Sequence, residues 1–151
     1  MTKTLLTVAI VLSGLSAGLF ATFSYAVMPG LRRTEDVTFV QSMRAINVAI
    51  LNPVFAVVFV GAAAAAVAAL ASGWSGDARP WLVAGVALYV VGAFVVTGAV
   101  NVPRNDALEA GMTSDASLRE QFESTWVAWN HVRSLLTTGA FVCLVRAALV
   151  L

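Results

Sequence analysis

Long apolar runs separated by short polar intervals dominate the chain. The first run extends over Leu5–Met28 with only small or weakly polar interruptions. At 1.5 Å per residue, roughly 24 helical residues exceed the hydrocarbon core of a bilayer, about 30 Å thick. Three further runs predict spans at Asn47–Ser72, Trp81–Val100 and Ser134–Leu151. The pattern therefore predicts an all-α protein, an integral membrane four-helix antiparallel bundle, as a single domain over residues 1–151.

The first apolar run has an alternative interpretation as a cleaved signal peptide, since it follows Lys3 near the start of the chain. The run is longer than a typical signal-peptide core, and Phe23–Ala26 is a poor small-residue cleavage site. We therefore expect this segment to remain as a membrane span.

Proline and capping residues predict where the first two helices begin and end. Pro29-Gly30 predicts the end of the first helix, and Thr34 is a suitable N-cap for the second. Pro53 removes a backbone donor within the second helix and frees the carbonyl of Ala49. A kink is therefore expected near Asn52.

Similar signals delimit the third and fourth helices. Pro103 predicts the end of the third span. Ser117–Glu120 fits a capping box, which predicts the start of a fourth helix whose first turns are polar and lie outside the membrane. Trp74 and Trp81 flank the short loop between the second and third spans, as expected at a membrane interface.

Composition supports the membrane interpretation and excludes several kinds of site. The chain is 60% hydrophobic and 11% charged, against roughly 25% charged residues in soluble domains. The net charge of +1 provides no basic field for nucleic acid, so no such partner is expected. Cys143 and His131 are the only residues of their types, which excludes a disulfide within the chain and a multi-histidine or cysteine-cluster metal site within one chain.

Small residues recur at helical spacing in the first and third spans, at Gly14, Ala17 and Ala21 and at Gly85, Gly92 and Ala99. Such residues let helices approach closely in lipid. General membrane composition is an equally good explanation of the pattern.

Polar side chains concentrate on one side of the predicted membrane, the side of the first and third connections. They are Gln41, Arg44, Asn47 and Asn52 on the second helix, Asn101, Arg104 and Asn105 after the third span, and Glu123, Trp126, Asn130, His131 and Arg133 on the fourth helix. Polar groups at membrane depth need partners and often mark functional sites. We expect one ligand pocket there, although each asparagine taken alone is also explained by ordinary hydrogen bonding between helices.

The distribution of basic residues predicts an orientation. Six arginines lie on the side of the two larger connections, against one lysine and two arginines on the opposite side. The positive-inside rule then places the larger connections in the cytoplasm and both termini outside.

Three of the polar stretches resemble the anthrone oxygenase-like family of small four-helix membrane proteins. The stretches are Gln41–Asn47 followed by Asn52-Pro53, then Asn101–Asn105, and finally Trp126–Arg133. The resemblance covers nearly the whole chain in helix order and spacing. Relatives typically have an apolar residue, often leucine, where this chain has Arg104.

The resemblance implies oxidation of a lipophilic, anthrone-type polycyclic phenol to a quinone by molecular oxygen. Deprotonation of its acidic benzylic C–H gives an electron-rich anthrolate that reacts with oxygen without a cofactor, so a base, donors and an apolar slot are needed. The expected partners are the lipid bilayer and the aromatic substrate. The candidate catalytic residues are His131, Glu123 and Asn130, with His131 or Glu123 as the base. The candidate substrate-binding residues are Gln41, Arg44, Asn47, Asn52, Asn101, Arg104, Asn105, Trp126, Trp129 and Arg133.

Two other functions stay open at this point. A haem or metal enzyme would use His131 as an axial ligand, alone or paired with a symmetry mate in a homo-oligomer. A non-enzymatic helical subunit or lipid-binding module would use the polar cluster as glue or as a headgroup site. A transporter is less favoured, because the chain shows no repeat pair with broken helices.

Overall fold

A computed structural model describes residues 2–151, and within that range the chain forms five helices and no strand. The helices are α1 (Thr2–Leu31), α2 (Asp36–Ala49), α3 (Pro53–Ser72), α4 (Arg79–Ala110) and α5 (Asp115–Leu149). Helices α1, α3, α4 and α5 are each long and apolar enough to cross a membrane. The predicted all-helical class is confirmed, and the number of helices that could span a membrane is four, as predicted.

The four long helices form an antiparallel ring. Helix α1 packs against α3 and α5, and α4 closes the ring by packing against the same two helices. At one end, Thr2 Oγ1 donates to the Ser72 carbonyl at 3.3 Å, which places the start of α1 beside the end of α3. At the other end, the shorter helix α2 contacts α5 and the last part of α4.

Apolar side chains fill the ring in three layers along its axis. The layers centre on Leu6, Leu82 and Leu144 near the termini, on Phe20, Tyr89 and Ala140 in the middle, and on Phe39, Met43 and Phe122 near the larger connections. The middle layer also holds a buried hydroxyl that has its partners. Tyr89 Oη donates to the Phe59 carbonyl at 3.0 Å and is also hydrogen-bonded to Ser16 Oγ at 3.0 Å, which ties α4 to α3 and α1.

The expected kink near Asn52 is instead a complete break between α2 and α3. Asn52 Nδ2 donates to the Ala49 carbonyl at 2.8 Å, and its Oδ1 accepts from the Phe55 backbone amide at 3.0 Å. The side chain therefore satisfies the carbonyl that Pro53 leaves free and also caps the start of α3. Because both amide ends are used in this way, Asn52 has a local structural role, and it does not line the main cavity described below.

Helix α4 does not end at Pro103 as predicted, but continues to Ala110. Two wide π-helical turns, Val90–Val95 and Thr97–Asn101, precede the proline. Such turns let a helix absorb a missing backbone donor without terminating. The continuation carries the residues after Pro103 along the same helix.

The other predicted helix ends are displaced by a few residues. Helix α1 passes through Pro29-Gly30 to Leu31, and α2 starts at Asp36 after Glu35 rather than after Thr34. Helix α5 starts at Asp115, three residues before the position predicted from the capping box. Its N-cap is Ser114, whose Oγ accepts from the Ser117 backbone amide at 3.4 Å.

Close contact between α4 and α5 depends on glycine. A Cβ built on Gly92 would lie 2.7 Å from the Cβ of Leu136, whereas a Cβ on Gly98 would meet no atom within 4 Å. We expect Gly92→Ala to destabilise the protein by about 1–3 kcal/mol, because two backbone-anchored atoms cannot both be accommodated. The loss should appear as a lower melting temperature in detergent. Gly98→Ala is the matched control and should melt no lower than the parent, since alanine favours helix; equal melting temperatures for both variants would contradict this packing.

Candidate functional site

A cavity of about 300 Å³ opens between the helices at the end of the larger connections, and we call it the main cavity. All five helices contribute to its wall. Its apolar lining is Leu19, Phe20, Phe23, Ile46, Val48, Ile50, Leu51, Phe55, Val102 and Trp126, and its polar lining is Asn47, Thr97, Asn101, Asn105, Asp106, Glu109 and Arg133. A mostly apolar wall with a few polar groups is typical of a small-molecule site.

Helix α4 supplies a polar stripe to the main cavity. Thr97, Asn101 and Asn105 follow one another at four-residue intervals, so they share one helix face. Asn101 is 1% exposed, and neither its Oδ1 nor its Nδ2 has a hydrogen-bond partner in residues 2–151. A buried amide with both ends unpaired is costly, which makes this side chain a candidate for ligand contact.

Arg133 on α5 faces this stripe. Its Nη1 donates to Thr97 Oγ1 at 3.1 Å and its Nη2 donates to Asn130 Oδ1 at 2.6 Å. The guanidinium Nε has no partner in the described part of the chain, although the residue is only 6% exposed. None of the ion pairs formed among residues 2–151 includes Arg133. The main cavity therefore contains a buried cation that forms no direct ion pair with a carboxylate of the described residues.

Aromatic rings surround the Arg133 guanidinium. Its Cζ lies 4.1 Å from the centre of the Phe20 ring and 5.6 Å from that of Trp126. Trp126 is held in place because its Nε1 donates to Asn105 Oδ1 at 2.8 Å. Rings at these distances stabilise the cation through their π faces and also leave a flat apolar surface in the cavity.

Asn130 does not line the main cavity, but it determines how Arg133 is held. Its Nδ2 donates to the Phe20 carbonyl at 3.1 Å and to Ser24 Oγ at 2.8 Å. These two bonds turn the Oδ1 of Asn130 towards the guanidinium. Asn130 therefore acts as a positioning residue between α1 and Arg133.

The combination favours a flat aromatic ligand that carries a negative oxygen. Unpaired N–H donors are available from Arg133 Nε, from Asn101 Nδ2 and from Asn47 Nδ2. All three residues line the main cavity, and the rest of the wall is largely apolar. Charge-assisted hydrogen bonds in a dry site are stronger than the same bonds in water.

Five of the predicted site residues line the main cavity: Asn47, Asn101, Asn105, Trp126 and Arg133. They come from three separate helices, which is the convergence expected from the sequence. Asn130 stands directly behind them through its bond to Arg133.

His131 and Glu123, the predicted bases, do not reach the main cavity. Both line a second cavity of about 260 Å³ between the end of α1 and the first half of α5. Successive residues on a helix point about 100° apart, so His131 faces away from the side that Asn130 and Arg133 occupy. Glu123 is bound at 2.8 Å to Arg119 and at 3.3 Å to Arg32. The expected approach of His131 to Asn101 or Asn105 is not observed.

The remaining predicted residues lie on other surfaces. Arg44 donates to the Leu108 carbonyl at 2.8 Å and to that of Gly111 at 2.9 Å, which caps the end of α4. Arg104 is exposed and donates to the Gln121 carbonyl at 3.2 Å, so the position that departs from the family pattern is outside the main cavity. Gln41 and Trp129 are exposed and line neither of the two larger cavities.

Sequence reasoning missed Thr97, Asp106 and Glu109 as lining residues of the main cavity. Thr97 precedes Asn101 by one helical turn, so the spacing could have identified it. Asp106 and Glu109 were not predicted as lining residues, because the helix was expected to end near Pro103. Once α4 is continuous to Ala110, Glu109 extends the stripe of Asn101 and Asn105 at the same interval.

Comparison with known proteins identifies the family. The family model described as "Anthrone oxygenase" matches residues 43–143, which is about two thirds of the chain and includes most of the main-cavity lining. No curated protein and no solved structure matches the chain. Because the matched region covers more than half of the sequence, the chain belongs to the anthrone oxygenase family.

Proposed function

We propose that the protein is a membrane-embedded oxygenase that oxidises a lipophilic polycyclic phenol of the anthrone type to a quinone. Family membership supports the oxygenase chemistry. One observation supports the substrate class. Arg133 and Asn101 have N–H donors without partners, and both residues line a cavity whose wall is aromatic and largely apolar. An anthrolate matches both features, since it is a flat tricyclic anion with its charge on one oxygen.

The reaction needs only a base, oxygen and stabilisation of the anthrolate. The base removes the proton from the carbon opposite the ketone, and the negative charge moves to the ketone oxygen, where Arg133 and Asn101 donate to it. The anthrolate transfers one electron to dioxygen, and the radical pair combines into a carbon–oxygen bond. Protonation gives a hydroperoxide, which loses water to form the second carbonyl. One substrate and one dioxygen thus yield one quinone and one water.

The mouth of the main cavity suits a substrate that arrives through the bilayer. Val48, Leu51 and Val102 line it and are exposed at 66%, 79% and 42%. Exposed apolar residues at a cavity rim favour passage from lipid over passage from water. A cavity of about 300 Å³ is at the lower end of the range for small-molecule sites, which suits three fused rings.

We assign the base to a carboxylate in the main cavity. Asp106 and Glu109 are the only acidic residues among its lining, and Arg133 is its only basic residue. Along α4, Asp106 lies roughly 7.5 Å beyond Asn101 and Glu109 roughly 12 Å beyond it, at 1.5 Å per residue. The reacting carbon is across one ring from the oxygen that Asn101 would bind, so Asp106 is the better placed of the two.

Replacing the two carboxylates one at a time tests this assignment. We expect Asp106→Asn to lower kcat roughly a hundredfold or more, because the amide cannot accept the proton. The smaller loss is expected for Glu109→Gln, which makes the same chemical change one turn further out. Oxygen uptake with an anthrone as substrate measures both variants. If neither variant loses turnover, the proton goes to a group outside this cavity.

We propose that the reaction uses molecular oxygen as co-substrate and no further cofactor. Residues 2–151 contain no group of three or more His, Cys, Asp or Glu side chains that would hold a metal ion. The alternative of a haem or metal bound through His131 would place the cofactor in the second cavity, away from Arg133 and Asn101. The absorption spectrum and metal content of the active, purified protein separate the two.

The decisive experiment is oxidation of an anthrone by the purified protein in detergent or lipid. We expect oxygen uptake and quinone formation in a one-to-one ratio, well above the spontaneous rate. A protein that is folded and pure but leaves the spontaneous rate unchanged would favour the non-enzymatic alternative.

A further inference from the structure

The second cavity differs in chemistry from the main cavity. It holds about 260 Å³ and is lined by Ser24, Met28, Pro29, Arg32, Arg33, Glu123, Val127 and His131. Its lining therefore contains two arginines and the only histidine of the chain, but a single carboxylate. Ser24 connects it to the main cavity through hydrogen bonds, since its hydroxyl accepts from Asn130, which accepts in turn from Arg133.

The one carboxylate of this cavity is already neutralised. Glu123 pairs with Arg119 at 2.8 Å and with Arg32 at 3.3 Å, and Arg119 pairs in turn with Asp36 at 3.0 Å. Arg33 takes part in none of the ion pairs formed within residues 2–151, and its side chain is exposed. The cavity therefore has an excess of positive charge at its rim.

The base of the cavity is apolar and lies where α1 leaves its apolar run. Met28 is 2% exposed, so the accessible apolar surface is that of Pro29, which is exposed, and of Val127, which is half-buried. The two arginines follow at the end of α1, directly after Leu31. An apolar base with a basic rim at the end of a spanning helix matches an amphiphile that has acyl chains and an anionic head.

We propose that the second cavity binds an anionic phospholipid, with its phosphate between Arg33 and His131 and its acyl chains along Pro29 and Val127. Basic pockets between spanning helices are typical sites for anionic headgroups, and guanidinium groups bind phosphate through charge-assisted hydrogen bonds. A free phosphate would use the same donors but would gain nothing from the apolar base. The surplus of arginines at this end of the bundle favours the same class of lipid.

Binding of defined lipids to the full-length protein in neutral detergent tests the proposal, with native mass spectrometry as the readout. We expect phosphatidylglycerol to bind about tenfold more tightly than phosphatidylcholine of the same chains, since each basic group near a headgroup adds several-fold in affinity. The double variant Arg33→Gln, His131→Gln should reduce phosphatidylglycerol binding to the phosphatidylcholine level. Arg104→Gln is the matched control, because Arg104 is an exposed arginine near the same end but outside the second cavity, and it should bind like the parent.

The alternatives give different results. If Arg104→Gln and the double variant lose phosphatidylglycerol binding equally, the lipid responds to the general surface charge, and the proposed site is refuted. Inorganic phosphate that displaces phosphatidylglycerol at comparable concentration would show a site for a free anion and overturn the lipid. The double variant should keep its melting temperature without lipid, because neither side chain makes a hydrogen bond within residues 2–151. If the double variant melts lower than the parent, the single variant Arg33→Gln is used instead. An unchanged preference of that variant for phosphatidylglycerol over phosphatidylcholine would refute the proposal.

Discussion

Replacing Asn101 with leucine is expected to abolish most turnover while leaving the protein at least as stable as before. Asn101 is buried with both amide atoms unpaired, so leucine removes a desolvation cost of about 1–3 kcal/mol and fills a similar volume. The same change removes a donor to the anthrolate oxygen, and loss of one such donor lowers kcat roughly a hundredfold to a thousandfold. Melting temperature and oxygen uptake, measured on the same preparation, should therefore move in opposite directions or independently.

Asn105→Leu provides the matched comparison. Asn105 lies one turn further along α4, and its Oδ1 accepts from Trp126 Nε1 at 2.8 Å. Leucine there leaves a buried indole N–H without its partner, so the melting temperature should fall. If Asn101→Leu instead melts lower and keeps normal specific activity, Asn101 serves to hold the helices together, and its role as a donor to the anthrolate oxygen is refuted.

Arg133→Gln is expected to lower kcat by at least a hundredfold and to weaken the binding of anionic aromatic ligands. The variant removes the positive charge that faces the cavity together with the unpaired Nε donor. A hydroxyanthraquinone, titrated by its absorption at a pH where it is ionised, measures binding apart from turnover. Arg133→Lys should recover only part of the activity, because an ammonium keeps the charge but not the planar donor pattern.

Arg104→Gln is the control for Arg133 as well. Arg104 is exposed, donates to a backbone carbonyl and lies outside the main cavity. Removing its charge should change kcat and ligand affinity by less than about threefold, in line with the small energies of exposed charged contacts. Equal losses at the two positions would mean that the net charge of this end of the bundle, rather than the cavity, governs the reaction.

The sequence alone determined the number of helices that are long and apolar enough to span a membrane, and the end of the bundle at which the polar residues gather. The number of helices follows from the length of each apolar run compared with the bilayer thickness. The common end follows because successive helices alternate in direction, which brings the first and third connections to the same side. Because lipid offers no hydrogen bonds, polar side chains at that depth must face the interior or bond to nearby backbone, as Asn52 does. Asn47, Asn101, Asn105, Trp126 and Arg133 therefore converge on one cavity as expected.

Local sequence signals were weaker where backbone geometry had more than one solution. Pro53 was compatible with a kink or with a break. The chain breaks there because the side chain of Asn52 caps the start of α3. Pro103 was expected to end α4, but the wide turn Thr97–Asn101 lets the helix continue. That continuation brings Asp106 and Glu109 to the mouth of the main cavity.

Only the tertiary structure decided which face of α5 meets which neighbour. Asn130 and His131 are adjacent in sequence, yet Asn130 bonds to Phe20, Ser24 and Arg133 while His131 lines the second cavity. Hydrophobicity cannot distinguish these faces, because α5 is polar on several sides near its start. The rotation of α5 is set by packing, with Gly85 and Gly92 of α4 placed against Leu144 and Leu136. Close contact between backbones at those glycines fixes where each polar side chain points, and so it separates the two cavities.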